Sequence, residues 1–229
     1  MSFEIAGLQK TTFIDYPEKI ACIVFTQGCN FSCGYCHNPE LFEHKEPALS
    51  VQAFFEFLNK RKGKLDGVVI TGGEPTLHKD LKEFIKSIKD LGFLVKLDTN
   101  GTNPDLLQEL FNQNLLDYVA MDIKAPLNKY EQVTRVNVNI EKIQKSINLI
   151  KNSGIDYEFR TTVVKSQLSV DDLKQITELI KGAKKYYLQK FLPTKTLDES
   201  MMSETSYNDE EFANICSSLK NDIKFVDFR

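Results

Sequence analysis

The amino-acid sequence predicts an α/β protein built as a partial, open (β/α)6 TIM-like barrel with parallel strands. Short apolar runs rich in β-branched residues alternate with segments of helical periodicity, which is the pattern of successive βα units. The apolar runs are nearly continuous, as expected for parallel strands that are buried on both faces. A complete eight-unit barrel needs about 250 residues, and this chain of 229 residues contains six clear units.

The predicted strands follow one another at regular intervals along the chain. They span residues 20–26, 68–71, 94–98, 118–122, 158–164 and 186–191, and residues 223–228 form a further candidate strand. We see no break in composition that would mark a second domain. Residues 1–229 are therefore predicted to form a single domain.

Helix-start signals lie between these strands. Side chains that favour the N-cap position precede four of the helical segments, at Ser50, Asn103, Asn139 and Ser169. Pro104 directly after Asn103 suits the first helical position. Asp172, three residues after Ser169, completes the pattern of a capping box. A last helix is predicted over residues 209–219.

The composition excludes several classes of protein. With 41% hydrophobic residues, 27% charged residues and a net charge of -3, the chain lacks the basic footprint of a nucleic-acid-binding protein. An apolar run of about 18 residues, as a membrane span requires, does not occur. The N-terminus lacks the pattern of a signal peptide, and the cysteine spacing does not suit a disulfide framework. A cytoplasmic protein without a membrane or nucleic-acid partner is predicted.

Polar residues follow the predicted strands where each strand ends. Examples are Gln27 after the first strand, Glu74 after the second, Asn100 after the third and Lys124 after the fourth. In parallel α/β sheets the active site gathers at the carboxyl ends of the strands. These separate groups are therefore predicted to converge on one face.

Three cysteines, Cys29, Cys33 and Cys36, crowd into a loop over residues 27–38 with the spacing C-x3-C-x2-C. Three thiolates can ligate three irons of a cubane cluster and leave the fourth iron open for chemistry. The remaining cysteines, Cys22 in a strand and Cys216 on a late helix, have no role that the sequence assigns.

Two other interpretations of this loop are weaker. A structural zinc site needs four ligands, and His37 is the nearest residue that could complete one. A redox pair of cysteines would leave the third cysteine without a role.

The segment Cys29-Asn-Phe-Ser-Cys33-Gly-Tyr-Cys36-His37-Asn38 resembles the signature loop of the radical S-adenosylmethionine (SAM) superfamily. Tyr35 stands where that family has an aromatic residue before the last cysteine. The resemblance implies one 4Fe-4S cluster, whose open iron is chelated by the amino and carboxylate groups of SAM. Tyr35 and His37 are carried over as candidate cofactor-binding residues.

A second motif, Gly72-Gly73-Glu74-Pro75, resembles the family's GGE motif, which receives the ammonium group of SAM. Glycines let a backbone approach a ligand closely, and the Glu74 carboxylate supplies the opposite charge. A tight turn would explain this motif if it stood alone.

Further residues match the subgroup that activates glycyl radical enzymes. In that subgroup acidic residues at the positions of Asp98 and Asp122 help to hold the carboxylate side of SAM, in some members through a monovalent cation, and Lys124 reaches the SAM carboxylate or ribose. Asn100 belongs to the same motif as Asp98, and surface-turn polarity is the alternative for both. Arg160 is a candidate inside an apolar strand, and a structural salt bridge is its alternative.

The N-terminal segment, with Ile14-Asp15-Tyr16-Pro17, is similar to proteins that activate anaerobic ribonucleoside-triphosphate reductase. This resemblance implies a radical SAM oxidoreductase that cleaves SAM reductively to a 5′-deoxyadenosyl radical and generates a glycyl radical on that reductase. A flavodoxin or a ferredoxin-type protein is the expected electron donor.

Three alternatives stay open at this point. The enzyme could act on a small molecule, as the deazapurine-forming members do, or it could activate a formate-lyase-type enzyme. A non-enzymatic iron–sulfur carrier is the third, and it would leave Glu74, Asp122 and Lys124 without a purpose.

Overall fold

The computed structural model describes residues 3–42, 48–220 and 222–229. Its eight strands are arranged in chain order in one sheet. The chain separates into two compact units. The first contains Met1–Asn30, Glu40–Thr99 and Asn103–Val119, and the second contains Phe31–Pro39, Asn100–Thr102 and Ala120–Arg229. The single domain over residues 1–229 stays a prediction.

The first unit carries one antiparallel pair of strands and two parallel pairs. Its strands are β1 (Ile5–Thr12), β2 (Ala21–Thr26), β3 (Gly67–Gly72) and β4 (Leu94–Thr99), and its helices are α1 (Val51–Lys60), α2 (Leu81–Asp90) and α3 (Pro104–Asn112). β1 pairs antiparallel with β2, whereas β2 with β3 and β3 with β4 pair in parallel. β5 (Tyr118–Asp122) begins in this unit and ends in the second.

The apolar runs of the sequence form the core of the first unit. Ile23 and Val69, from neighbouring strands, pack with Tyr16, Ala21 and Tyr118 in one buried cluster. This packing explains why β2 and β3 read as continuous apolar runs, since residues on both of their faces are removed from water.

The second unit continues the parallel pattern. It contains β6 (Asp156–Val163), β7 (Lys185–Lys190) and β8 (Phe225–Phe228), with helices α4 (Tyr130–Thr134), α5 (Ile140–Asn152), α6 (Val170–Leu179) and α7 (Asp209–Leu219). β7 pairs in parallel with both β6 and β8. Phe212 of α7 stacks on Phe228 of β8 with the ring centroids 5.3 Å apart, which docks the last helix onto the last strand.

The predicted helix caps are confirmed. Ser50, Asn103 and Asn139 each accept a hydrogen bond from a backbone N–H in the first turn of the helix that follows. Ser169 and Asp172 form a reciprocal capping box at the start of α6. Asp172 also accepts a hydrogen bond from the Lys129 Nζ at 2.8 Å, so this helix start is fixed from two sides.

The predicted α/β class with parallel strands in an open sheet is confirmed. The short candidate strand at the end of the chain is present as β8. The antiparallel strand β1 was not predicted, because Gln9 and Lys10 interrupt its apolar pattern and both are exposed. Every helix in the described ranges is too short or too polar to span a bilayer.

Replacement of Ser169 by Ala should lower the free energy of unfolding by about 1 kcal/mol, because the Asp172 N–H loses its capping acceptor. Ser217→Ala is the matched control, since the Ser217 hydroxyl is exposed and bonds only a carbonyl of its own helix, that of Ala213. Urea denaturation of both variants measures the difference. An equal loss in the two variants would contradict the capping role.

Candidate functional site

The three clustered cysteines form no disulfide within the described residues, and the chain divides between the two units within their loop. Cys29 belongs to the first unit, whereas Cys33 and Cys36 belong to the second. Cys33 is buried, and Cys29 and Cys36 are partly exposed. All three sulfur atoms are therefore chemically available as ligands.

Backbone hydrogen bonds anchor the second-unit part of the loop. The Ser32 N–H donates to the carbonyl of Thr134 at the end of α4 over 2.9 Å, and the Asp198 N–H donates to the carbonyl of Gly34 over 3.0 Å. The Cys36 N–H donates to the Cys33 carbonyl at 3.0 Å. The loop is thus tied both to α4 and to the segment after β7.

Gly34 lies where the side chain of Arg135 packs on its backbone. A Cβ atom at this position would lie 2.6 Å from a guanidinium nitrogen of Arg135. Arg135 ends α4 with a φ of 60° and forms an ion pair with Asp198 at 2.6 Å. Hydrogen bonds from Ser200 and Arg135 lower the pKa of the Asp198 carboxyl to about 2, so this ion pair is charged at neutral pH.

His37 contacts the same segment after β7. Its Nδ1 lies 3.0 Å from the carbonyl oxygen of Lys195, and its ring stacks on Phe191 with the centroids 5.6 Å apart. These contacts give His37 an anchoring function for the cysteine loop. Its assignment as a cofactor-binding residue stays a prediction.

Asp122, Lys124 and Arg160 form one buried ionic group in the second unit. The Arg160 Nε donates to one carboxylate oxygen of Asp122 at 2.7 Å, and the Lys124 Nζ donates to the other at 3.0 Å. The side chains of Lys124 and Arg160 are only 15% and 12% exposed, so the shared carboxylate stabilises two largely buried charges. The salt bridge expected as the alternative for Arg160 is therefore present.

The pKa values in this group reflect mutual stabilisation. Burial by itself would raise the pKa of Asp122, but Arg160 and Lys124 outweigh burial and hold that pKa well below its ordinary range. Burial would lower the pKa of Lys124, but Asp122 raises it well above its usual value. Burial raises the pKa of the Cys33 thiol, and Lys124 opposes this effect. The Lys124 ammonium therefore favours a thiolate at Cys33.

In the first unit, the turn after β3 lies against the backbone of the cysteine loop. The Glu74 N–H donates to the carbonyl of Gly28 at 2.8 Å, and a Cβ at Gly73 would overlap that carbonyl oxygen. Gly72 has a φ of 121°, and a Cβ there would collide with the backbone of Thr26. Both glycines are therefore required by close backbone approach.

The Glu74 carboxylate is completely buried and has a fixed orientation. Its Oε1 accepts hydrogen bonds from the Thr76 N–H at 3.0 Å, the Thr76 hydroxyl at 2.6 Å and the Thr99 hydroxyl at 2.8 Å. Sequence reasoning missed both threonines, although Thr76 closely follows the Gly-Gly-Glu-Pro motif.

Asp98 pairs with a buried lysine that sequence reasoning also missed. The Lys96 Nζ lies 2.5 Å from Asp98 and 5.9 Å from the centre of the Tyr118 ring, and the Lys96 side chain is 2% exposed. A lysine inside an apolar strand was the available signal. The involvement of Asp98 with a monovalent cation stays a prediction.

Asn100 lies in the second unit and is buried, not on a surface turn. Its Oδ1 accepts hydrogen bonds from the Thr102 N–H at 3.1 Å and from the Thr102 hydroxyl at 2.7 Å. This side chain therefore shapes the turn that follows β4.

The two cysteines outside the loop are buried, and burial raises the pKa of Cys22 to about 12 and that of Cys216 to about 11. Both are unreactive thiols.

Replacement of Gly73 by Ala should destabilise the first unit by about 1–3 kcal/mol, because the new methyl group overlaps the Gly28 carbonyl. Gly7→Ala is the control, since a Cβ there meets Phe25 at an ordinary 3.4 Å. Thermal unfolding of both variants tests this expectation. Equal melting temperatures would contradict the close approach of the two backbones.

A protein-family model matches most of the chain. The model of the radical SAM superfamily matches residues 23–180. A glycyl-radical enzyme activating enzyme of Methanocaldococcus jannaschii, so named, is 37% identical over 201 residues, which cover 85% of this chain and 82% of that protein.

Relatives of lower sequence identity are named for other activities. The pyruvate formate-lyase-activating enzyme of Clostridium pasteurianum is 26% identical, with 84% of this chain and 82% of that protein covered. The 7-carboxy-7-deazaguanine synthase of Thermococcus kodakarensis is 27% identical, with 76% of each covered.

Among solved structures, Streptococcus suis SuiB bound to its precursor peptide SuiA has a similar fold. Its TM-score is 0.70 at 13% identity, and the match covers 90% of this chain and 48% of SuiB.

Because of the family model and the 37% identical relative, the chain belongs to the radical SAM superfamily, in the family of glycyl-radical enzyme activating enzymes, whose cofactors are a 4Fe-4S cluster and SAM.

Proposed function

We propose that this enzyme uses SAM to generate a glycyl radical on a protein partner, and that the partner is an anaerobic ribonucleoside-triphosphate reductase. The observation that carries the first part is the 37% identity, over most of both chains, to a glycyl-radical enzyme activating enzyme. The N-terminal segment with Ile14-Asp15-Tyr16-Pro17 supports the choice of the reductase.

The residues present fit the two cofactors. Cys29, Cys33 and Cys36 supply three free thiols for three irons of the cluster. The backbone at Gly73 has no room for a Cβ, which suits a turn built for close approach. Glu74 supplies a buried carboxylate of fixed orientation for an ammonium group.

Lys124 is the proposed partner for the carboxylate of SAM. Its ammonium group has three N–H donors, and Asp122 takes one of them at 3.0 Å. Asp122 and Arg160 hold the lysine in place. A buried ammonium with remaining donors is a site for an anionic ligand.

Held by Cys29, Cys33 and Cys36, the cluster would supply the electron for the reductive cleavage of SAM to methionine and a 5′-deoxyadenosyl radical, the species that abstracts hydrogen from a glycine of the partner. The protein contributes position and the exclusion of water. Buried side chains such as Tyr35 and Phe31 next to the cysteines serve that exclusion.

A flavodoxin or ferredoxin-type protein would supply the electron, and a cytoplasmic location completes the proposal.

A second candidate function is the remodelling of a small molecule. The 27% identity to a 7-carboxy-7-deazaguanine synthase over 76% of each chain favours it. Activation of a formate-lyase-type enzyme is supported in the same way by the 26% identical relative.

The deciding experiment is an anaerobic incubation of the reconstituted, reduced enzyme and SAM with a glycyl radical reductase. We expect a glycyl radical signal by electron paramagnetic resonance (EPR), with formation of 5′-deoxyadenosine. Cys33→Ala should lose both products and cluster iron. Cys216→Ala is the matched control, because Cys216 is a buried thiol outside the loop, and it should retain wild-type iron.

The outcomes separate the candidate functions. A glycyl signal on a formate lyase but not on the reductase would support the alternative activator. Release of 5′-deoxyadenosine only with a pterin-type substrate would favour the small-molecule function. A normal cluster in Cys33→Ala would overturn the ligand assignment.

Lys124→Gln should weaken SAM binding by about tenfold or more, because a charge-assisted hydrogen bond to the SAM carboxylate is lost. The dependence of 5′-deoxyadenosine formation on SAM concentration measures this change. Lys165→Gln is the control, since Lys165 is 45% exposed and pairs with Glu211. Unchanged SAM binding in Lys124→Gln would contradict the assigned role.

A further inference from the structure

The hydroxyl group of Tyr35 is unusual among the buried tyrosines of the second unit. Within the described part of the chain, its oxygen is buried and makes no hydrogen bond of standard geometry. The hydroxyls of Tyr157 and Tyr130 accept backbone N–H groups at 3.1 and 3.3 Å, and Tyr186 donates to Thr161 at 2.8 Å. A buried hydroxyl without a partner costs about 1–3 kcal/mol, so Phe would be the more stable residue at position 35.

Among the titratable groups that act on this hydroxyl, the Cys33 sulfur is the acceptor that other side chains leave open. Burial raises the pKa of Tyr35 well above its ordinary value, and Cys33, Lys124 and Asp122 are the neighbouring groups that modify it. Lys124 is a donor, and Asp122 already accepts from Lys124 and Arg160. Cys33 lies two residues before Tyr35, the side chains of both are buried, and the Tyr35 hydroxyl lowers the pKa of the Cys33 thiol.

A neutral thiol is a weak acceptor, whereas a thiolate is a strong one. Cys33 is assigned above as a cluster ligand, and in that state its sulfur carries negative charge. A ligating Cys33 would therefore offer the Tyr35 hydroxyl the acceptor that it lacks.

We propose that the Tyr35 hydroxyl donates a hydrogen bond to the Sγ of Cys33 when this thiolate ligates the cluster, and that this bond favours reduction of the cluster. The inference rests on the proposed function. Hydrogen bonds to the sulfurs of iron–sulfur clusters are among the factors that set their reduction potential. A donor at the sulfur stabilises the additional negative charge that one-electron reduction brings. Tyr35 is in this account a residue that tunes the cluster, without contact with the reacting glycine.

The test is an anaerobic redox titration of reconstituted Tyr35→Phe, with the EPR signal of the reduced cluster as the readout. We expect full iron content and a reduction equilibrium that is less favourable by several-fold to about tenfold, where tenfold corresponds to about 59 mV for one electron. Tyr157→Phe is the matched control, since it removes a buried hydroxyl that accepts from Lys184, and its midpoint should equal that of the wild type. An exchangeable-proton coupling of the reduced cluster should also disappear in Tyr35→Phe alone.

Two results would overturn the inference in distinguishable ways. A complete cluster in Tyr35→Phe with an unchanged midpoint would refute the tuning bond and leave the proposed function intact. Failure of the wild type to bind a cluster would refute both. If Tyr35→Phe does not retain its cluster, Tyr35→3-fluorotyrosine keeps the ring and strengthens the donor. Its midpoint should then move in the positive direction, and an unmoved midpoint would refute the bond.

Discussion

The arrangement of the second unit depends on one buried carboxylate. Asp122 accepts hydrogen bonds from both Lys124 and Arg160, and neither cation is appreciably exposed. A buried charge that loses its ion-pair partner costs several kcal/mol even after relaxation, so removal of Asp122 would destabilise this group. The carboxylate thus fixes Lys124, whose ammonium group partly offsets the rise in the pKa of the Cys33 thiol that burial causes. One ionic group connects the fold of the strand ends with the chemistry of the cysteine loop.

The constraint in the first unit is different: two backbone segments approach each other closely. Gly73 lies against the carbonyl of Gly28, directly before Cys29 in the chain. The same turn places the Glu74 carboxylate, which two threonines hold in one orientation. Because a side chain at position 73 would collide with the backbone, the sequence Gly-Gly-Glu is a steric requirement before it is a binding motif. In the second unit, the cysteine loop is attached to the segment after β7 through contacts of Arg135, Asp198 and His37.

Local patterns in the sequence are sufficient for most of the fold. The apolar runs predict β2 to β7 because the residues of these strands are mostly buried or half-buried. The caps at Ser50, Asn103 and Ser169 form as their residue types predict. β1 could not be predicted in this way, since it is the first strand of the sheet and two of its residues, Gln9 and Lys10, are exposed. Some residues of the candidate site can likewise be predicted from local sequence, and others cannot. Motif residues such as Glu74 and Asp122 are recognisable from spacing and neighbours.

Their partners require the folded chain. Lys96 reads as one polar residue in a strand until it is seen against Asp98. Asp198 lies in a segment without periodicity, and only the tertiary structure brings it to Gly34. The Tyr35 hydroxyl is informative because it lacks a standard partner among the described residues, which no sequence pattern reveals. Contacts between residues distant in sequence are therefore where structure adds to the sequence.

The central claim is that three cysteines leave one iron open and that SAM occupies it. Electron–nuclear double resonance on the reduced, reconstituted enzyme with SAM labelled with ¹⁵N at its amino group measures this directly. The account predicts a ¹⁵N coupling to the cluster that is present in the wild type. A complete, reduced cluster without any ¹⁵N coupling at saturating SAM would contradict it.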